Sequence, residues 1–236
     1  RYFVNFPDGQ IGWYPFAMKA GNKVIRSWSP DLIFASASPY TALLVASALS
    51  RKHNIPWIAE LRDLWSNNHN YLGPTWRKFL DKKLESRTLK SACGLVTVSE
   101  PLKEVLDFKY SIPCKVITNG FDPGDLPRPS VIPFSNGIVR IVYTGQIYNN
   151  EQDVSPLLIA LQQMGKEREK IRIYFYGRYL GFTRPAFQTD LRFKFAHLIE
   201  FHEPVSHHES LSLQAGADIL LLFPGGSPAW KGVYTG

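Results

Sequence analysis

Short apolar runs alternate with longer amphipathic stretches along the whole chain. In the first half the runs fall at 2–6, 32–36, 57–61, 95–98 and 115–118. They are rich in β-branched and aromatic residues and read as strands covered on both faces. Helical periodicity marks 13–28, 40–53, 74–91 and 100–108, with Pro39 and Pro101 near helix starts, where a missing N–H costs little. The second half repeats the scheme, with strands predicted at 139–144, 171–176, 198–201 and 218–223 and helices at 154–166, 184–197 and 207–215. Ser206 followed by Glu209 fits a capping box, and Gly177, Gly216 and Gly225 punctuate element ends. This alternation predicts parallel sheets wrapped by helices. A stretch holding Pro123, Pro127, Pro129 and Pro133 interrupts it, so the chain reads as two α/β domains, 1–128 and 129–236, with the seam at 122–136.

Composition narrows the class. The 236 residues have room for two domains, and 44% hydrophobic against 20% charged content supports a real core. No apolar run approaches the roughly 18 residues that span a bilayer. The chain opens inside the run ending at Phe6 and stops within Lys231-Gly232-Val233-Tyr234-Thr235-Gly236, so it reads as an interior piece of a longer protein. Two cysteines, Cys93 and Cys114, argue against a disulfide framework and suit a reducing compartment. The net charge of +7 is uneven. Residues 1–128 hold 17 basic against 11 acidic residues, and 129–236 hold 10 against 9. The excess predicts an anionic partner on the first half, a membrane surface or a phosphorylated acceptor rather than a nucleic acid.

In open α/β sheets the ligand sits at the carboxyl ends of the strands, and several polar clusters fall there. Glu60, Arg62, Asp63 and Trp65 follow the apolar stretch 56–59 and can line a cleft. There Asp63 can accept a hydrogen bond from a sugar hydroxyl or cap the next helix. Asn119-Gly120 forms a tight turn after the strand at 115–118. Thr144-Gly145-Gln146 ends the first strand of the second half, where glycine exposes backbone N–H groups to a phosphate. Arg178 follows Gly177 and can meet a diphosphate or a base, while His202 and Glu203 border the same edge. Lys231, Gly232, Thr235 and Gly236 follow the strand at 218–223 and suggest a phosphate cradle. No G-x-G-x-x-G, Walker loop, Asp-x-Asp or clustered Cys/His set is present, which argues against a bound metal or a dinucleotide cofactor.

The helix at 74–91 is amphipathic. Trp76, Phe79, Leu80, Leu84 and Thr88 share a face that is expected to serve the core, or to lie on anionic lipid with the surrounding lysines and arginines.

The ordered series Pro30-Asp31-Leu32-Ile33, residues 56–65, Leu95-Val96-Thr97-Val98-Ser99 and Val116 to Asp122 resembles the retaining GT-B glycosyltransferases of the family 4 type. The likeness is strongest to bacterial cell-surface polysaccharide enzymes. Residues 141–146 and 231–236 continue it. The resemblance implies two Rossmann-like domains facing across a cleft. It places the acceptor, a glycan or polyprenyl-linked saccharide, on the first domain. A UDP- or GDP-linked sugar lies on the second, with no metal or cofactor required. It puts Glu60, Arg62, Asp63 and Trp65 on the acceptor side, Asn119 near the reacting centre and Gly145 with its neighbour Gln146 at the diphosphate. Arg178, His202 and Glu203 would lie near the base, and Lys231, Gly232, Thr235 and Gly236 at the diphosphate and sugar. The implied catalytic residues are Asp63, Asn119 and Lys231. The chain departs from the family in placing Gln146 where many members have Arg, with no Lys in 149–152, so Lys231 or Arg178 would have to stabilise the leaving group. A non-catalytic subunit that binds a sugar nucleotide, and a nucleotide-sugar epimerase on the same fold, are the alternatives. The implied location is cytoplasmic, with peripheral contact at the inner face of the plasma membrane.

Overall fold

The computed structural model describes residues 5–68, 71, 73–125, 127, 137–148, 155–180 and 195–223. The chain divides into two compact units that part between Asn119 and Gly120.

The N-terminal unit is a four-stranded parallel sheet in sequential order: β1 (Ile33–Ala37), β2 (Trp57–Leu61), β3 (Gly94–Thr97) and β4 (Cys114–Val116). The helices α2 (Thr41–His53), α3 (Thr75–Leu89) and α4 (Glu100–Lys109) connect them, and α1 (Tyr14–Trp28) packs on α2. Consecutive right-handed crossovers in one direction put α2, α3 and α4 on one face of the sheet. The core between sheet and helices holds Trp57, Leu61, Leu43, Leu89, Leu95 and Leu106, all essentially buried. Side chains of this kind each stabilise the fold by roughly 1.5–3 kcal/mol on full burial. The expectation of strands covered on both faces fails at β1. Ile33, Ala35 and Ala37 enter the core, whereas Phe34 on the other face is exposed. Left-handed residues close α1 and α2, at Ser29 (φ 52°) and Asn54 (φ 55°).

The apolar run at 2–6 lies mostly outside the described residues, and Asn5 and Phe6 form a bend rather than a strand. This segment is tied down by Arg77, which donates to the carbonyls of Asn5 (2.9 Å) and Pro7 (2.7 Å). Asp8 caps α2, accepting from the Thr41 backbone N–H at 2.8 Å and its hydroxyl at 2.7 Å.

The C-terminal unit has a second parallel sheet, built from β5 (Val139–Thr144), β7 (Ile171–Tyr176), β9 (Ile199–His202) and β10 (Ile219–Leu220), in the order β10-β5-β7-β9. Two further short strands, β6 (Ile147–Tyr148) and β8 (Tyr179–Leu180), pair beyond the ends of β5 and β7 and were not anticipated. Of the strand predicted at 218–223, only Ile219 and Leu220 join the ladder. Helix α5 (Ser155–Gln163) gives way to a 3₁₀ stretch, Gly165–Lys170. Helix α6 (His207–Ala215) starts as predicted, with the Ser206 hydroxyl accepting from the Glu209 N–H at 3.2 Å. Most of the helix predicted at 184–197 lies outside the described residues, and Ala196–Leu198 form a 3₁₀ turn. Phe175, Ile173, Ile147, Leu161 and Leu198 make the second core. Among the described residues, no helix is long and apolar enough to cross a membrane.

The two thiols sit in different surroundings. Cys93 is exposed, whereas burial pushes the Cys114 thiol up to about 11. Because the thiolate is the reactive form, a disulfide reagent at pH 8 is expected to modify one cysteine rapidly in the native protein and the second only on unfolding. Mass mapping should place the fast adduct on Cys93; two equally fast adducts would show that β4 does not shield Cys114.

Candidate functional site

The carboxyl ends of β1, β2 and β4 meet at one edge of the first sheet. An open pocket of about 310 Å³ lies there, lined by Ser36, Ala37, Ser38, Arg62, Asp63 and Asn119. Arg62 and Asp63 follow directly on β2, and Asn119 comes three residues after β4. Arg62 donates to the Asn119 side-chain oxygen at 2.7 Å, tying the two strand ends together. The pocket thus presents a cation, a carboxylate, an amide and serine hydroxyls, the donors and acceptors that recognise a polyhydroxylated ligand. Of the candidates in this unit, Arg62, Asp63 and Asn119 come together. Ser36 and Ser38 were missed; the signal available was the polar Ser-Ala-Ser-Pro that follows the apolar start of β1.

Two candidates turn elsewhere. Trp65 was expected on the acceptor side, but it is only 1% exposed. Its ring stacks on Tyr40 with centroids 4.6 Å apart, and its indole N–H donates to Asp81 at 3.1 Å. An indole whose N–H finds a buried carboxylate is more stable inside than at a polar edge. Glu60 lies on β2 with its neighbours Ala59 and Leu61 in the core, is half-buried, and is not part of the pocket lining.

The loop carrying Asp63 is fixed from beneath by α3. Two carboxylates of this helix are buried, Asp81 (2% exposed) and Glu85 (1%). Besides the Trp65 indole, Asp81 accepts from the Tyr71 hydroxyl at 2.5 Å and lies 3.7 Å from the Arg77 guanidinium. Glu85 accepts from the Ser66 N–H at 3.2 Å, from the Ser66 hydroxyl, and from the Lys109 ammonium of α4 at 2.7 Å. The Tyr40 hydroxyl completes the clamp by donating to the Leu64 carbonyl at 3.0 Å, and burial raises its pKa to about 12, keeping it a donor at neutral pH. This arrangement splits the face predicted for α3. Thr88 is buried and Leu84 half-buried, whereas Trp76, Phe79 and Leu80 are exposed.

In the C-terminal unit the ends of β5, β7 and β9 share the carboxyl edge of the second sheet, which carries Gly145, Arg178, His202 and Glu203. The His202 ring stacks on Tyr176 at 4.5 Å with a 12° tilt. Gly145 (φ 155°) and Gly177 (φ 151°) touch so closely that a Cβ on Gly177 would lie 1.7 Å from the Gly145 carbonyl oxygen. Only glycine fits such an approach. The expected role of the Gly145 amide needs correction, because this N–H donates to the Tyr176 carbonyl at 2.9 Å and so extends the sheet ladder. The Gln146 carbonyl accepts from the Tyr143 hydroxyl at 3.1 Å. Lys231, Gly232, Thr235 and Gly236 lie outside the described residues.

The model of the family described as Glycosyltransferase Family 4 matches residues 1–125, which include the whole pocket. No curated protein matches the chain in sequence. Among solved structures, the chain is similar to sucrose-phosphate synthase from Thermosynechococcus elongatus, at a TM-score of 0.64 and 13% identity over 90% of this chain and 55% of that one. It is similar to Anabaena HepE, solved in complex with UDP, at 0.62 and 17% identity over 87% and 56%. It is also similar to the lipopolysaccharide outer core galactosyltransferase WaaB, at 0.60 and 15% identity over 89% and 54%. At these identities the likeness shows the fold, which is GT-B. The chain spans little more than half the length of these structures.

Proposed function

The chain belongs to glycosyltransferase family 4, and on that premise we propose that the complete protein moves a sugar from a nucleotide-sugar to a glycan or polyprenyl-linked acceptor. In this reading transfer proceeds with retention at the anomeric carbon, without a metal or cofactor, on the cytoplasmic side of the membrane. The observation that carries it is the polar pocket at the edge of the first sheet, with Arg62, Asp63 and Asn119 converging on one space. There Asp63 accepts from an acceptor hydroxyl, while Arg62 holds the Asn119 side chain at the pocket through its oxygen.

The donor, UDP- or GDP-linked, belongs to the second unit, whose carboxyl edge offers Arg178 and the stacked Tyr176–His202 pair beside Glu203. Transfer builds positive charge on the sugar ring and negative charge on the departing diphosphate, and without a metal that second charge needs fixed cations or backbone N–H groups. With Gln146 in place of a cation and the Gly145 amide committed to the sheet, Arg178 and Lys231 take that role, Gly232, Thr235 and Gly236 supplying the cradle.

Thermal melting of the complete protein, with UDP, GDP, ADP and TDP each at about 1 mM in EDTA, is the test. A ligand at about 100 times its Kd adds roughly 2.7 kcal/mol. A rise in Tm with one nucleoside diphosphate is expected and names the base. Silence from all four would remove the donor and with it the proposal. With the matching labelled nucleotide-sugar, consumption should require acceptor; turnover of donor alone would instead indicate an epimerase.

A further inference from the structure

Strand pairing carries the first sheet only as far as the start of the pocket. The β1–β2 ladder ends at Ala37 and Leu61. Ser38 on one wall, and Arg62 and Asp63 on the other, lie past this last rung, so the ladder does not fix the space between them.

Tyr40 spans that gap without lining the pocket. It stands two residues after Ser38, and its side chain grips Leu64 and Trp65, the two residues after Asp63. The hydroxyl donates to the Leu64 carbonyl at 3.0 Å, and the ring lies on the Trp65 indole with a tilt of 6°. This joint is braced on both sides. Trp65 donates to Asp81, and Asp81 lies against Arg77, whose guanidinium also holds the carbonyls of Asn5 and Pro7. Asp8, the next residue of that segment, binds Thr41, the neighbour of Tyr40. The contacts close into a ring through residues 5–8, the start of α2, the loop after β2, and α3. Its members Thr41, Trp65 and Asp81 are at most 2% exposed.

A binding constellation must hold its geometry to about 0.5 Å, and that falls to supporting side chains locked by packing and hydrogen bonds. We propose that Tyr40 is a positioning residue, which sets the serine wall against Asp63 through the Trp65 ring and the Leu64 carbonyl. Its effect on rate rests on the sugar-transfer reading, whereas the spacing of the walls can be read without activity.

Tyr40→Phe in the complete protein keeps the stack and removes the bond to Leu64. Ser47→Ala is the comparison. It removes a buried hydroxyl that meets Ser91 at 2.9 Å, beside Trp57 at the amino end of β2 and away from the pocket. Both variants are expected to melt a few degrees below wild type. Hydrogen exchange should quicken in peptides covering 36–38 and 62–66 for Tyr40→Phe alone. With nucleotide-sugar and acceptor, kcat of that variant should fall by about 10- to 100-fold, the loss that a misplacement of about 1 Å produces, with KM for the donor unchanged. Ser47→Ala should keep the wild-type kcat. Tyr40→Leu, which also loses the stack, should fall further, so that phenylalanine gives partial rescue. Unaltered exchange at both walls, or a kcat loss no greater than that of Ser47→Ala, would overturn the proposal. A wild-type protein that transfers no sugar, with exchange changing as expected, would sink the sugar-transfer reading and leave Tyr40 as the residue that spaces the walls.

Discussion

Replacing Glu85 by alanine is expected to cost about 3 kcal/mol of stability, the low end of the range for breaking a buried ion pair, because Lys109 keeps some contact with water. The carboxylate has three partners, and alanine leaves each with a different deficit. The Ser66 N–H loses its acceptor in a buried position. The Ser66 hydroxyl loses one as well. The Lys109 ammonium keeps only the neutral oxygens of Ser66 (3.0 Å) and Asn67 (3.1 Å). Glu85→Gln retains an oxygen for Ser66 while surrendering the charge, so its loss should fall between wild type and alanine. Urea denaturation of the three proteins, monitored by tryptophan fluorescence, reads the order directly. An alanine variant within about 0.5 kcal/mol of wild type would mean that Lys109 and Ser66 regain in water what they lose with the carboxylate.

Asp63→Asn in the complete protein is expected to lower kcat/KM for sugar transfer by roughly 10- to 150-fold. This corresponds to the 1.5–3 kcal/mol of a hydrogen bond to a charged group. Asparagine keeps the shape of the side chain and offers a neutral acceptor, so the deficit isolates the charge. Because Asp63 is assigned to the acceptor, nucleoside diphosphate binding should be unaffected. Melting curves with and without the nucleotide separate the two roles. A variant that loses nucleotide binding along with transfer would move Asp63 to the donor, and full activity would remove it from the site.

The parts of the fold that could be read in the sequence are those where burial and periodicity agree. Strands β1, β2 and β3 are apolar runs of the right length, and Arg62, Asp63 and Asn119 could be chosen because polar residues just beyond a buried strand have few other places to go. Helix α3 was legible only in part, with Leu84 and Thr88 turned to the core as predicted, for the converse reason. Periodicity counts Asp81 and Glu85 as solvent-facing, whereas their partners Trp65, Ser66, Tyr71 and Lys109 come from other segments and make the buried arrangement the satisfied one. Trp65 was misplaced by the same omission. Strands β6 and β8 are two residues each, too short for alternation to register, and each follows a residue pair at a sheet edge rather than an apolar run. The Gly145 amide was assigned to a phosphate because nothing in the sequence reveals that the β5–β7 ladder runs one bond further.

The order of strands in the two sheets bears on how the polypeptide is made. In the first sheet each strand pairs with the next one in the chain, so every ladder can close once its second member has emerged. The second sheet is different. Its β5 lies between β7 and β10, and β10 is the last of its strands to be synthesised. The contact that fixes this edge, from the Arg140 N–H to the Asp218 carboxylate at 2.6 Å, spans 78 positions of sequence. Loop closure of that length slows pairing, and an unfilled slot beside a hydrophobic strand invites other chains. During translation the ladders of the first sheet can therefore close early, while the second sheet passes through an interval with the flank of β5 open, where a chaperone would find its longest-lived target.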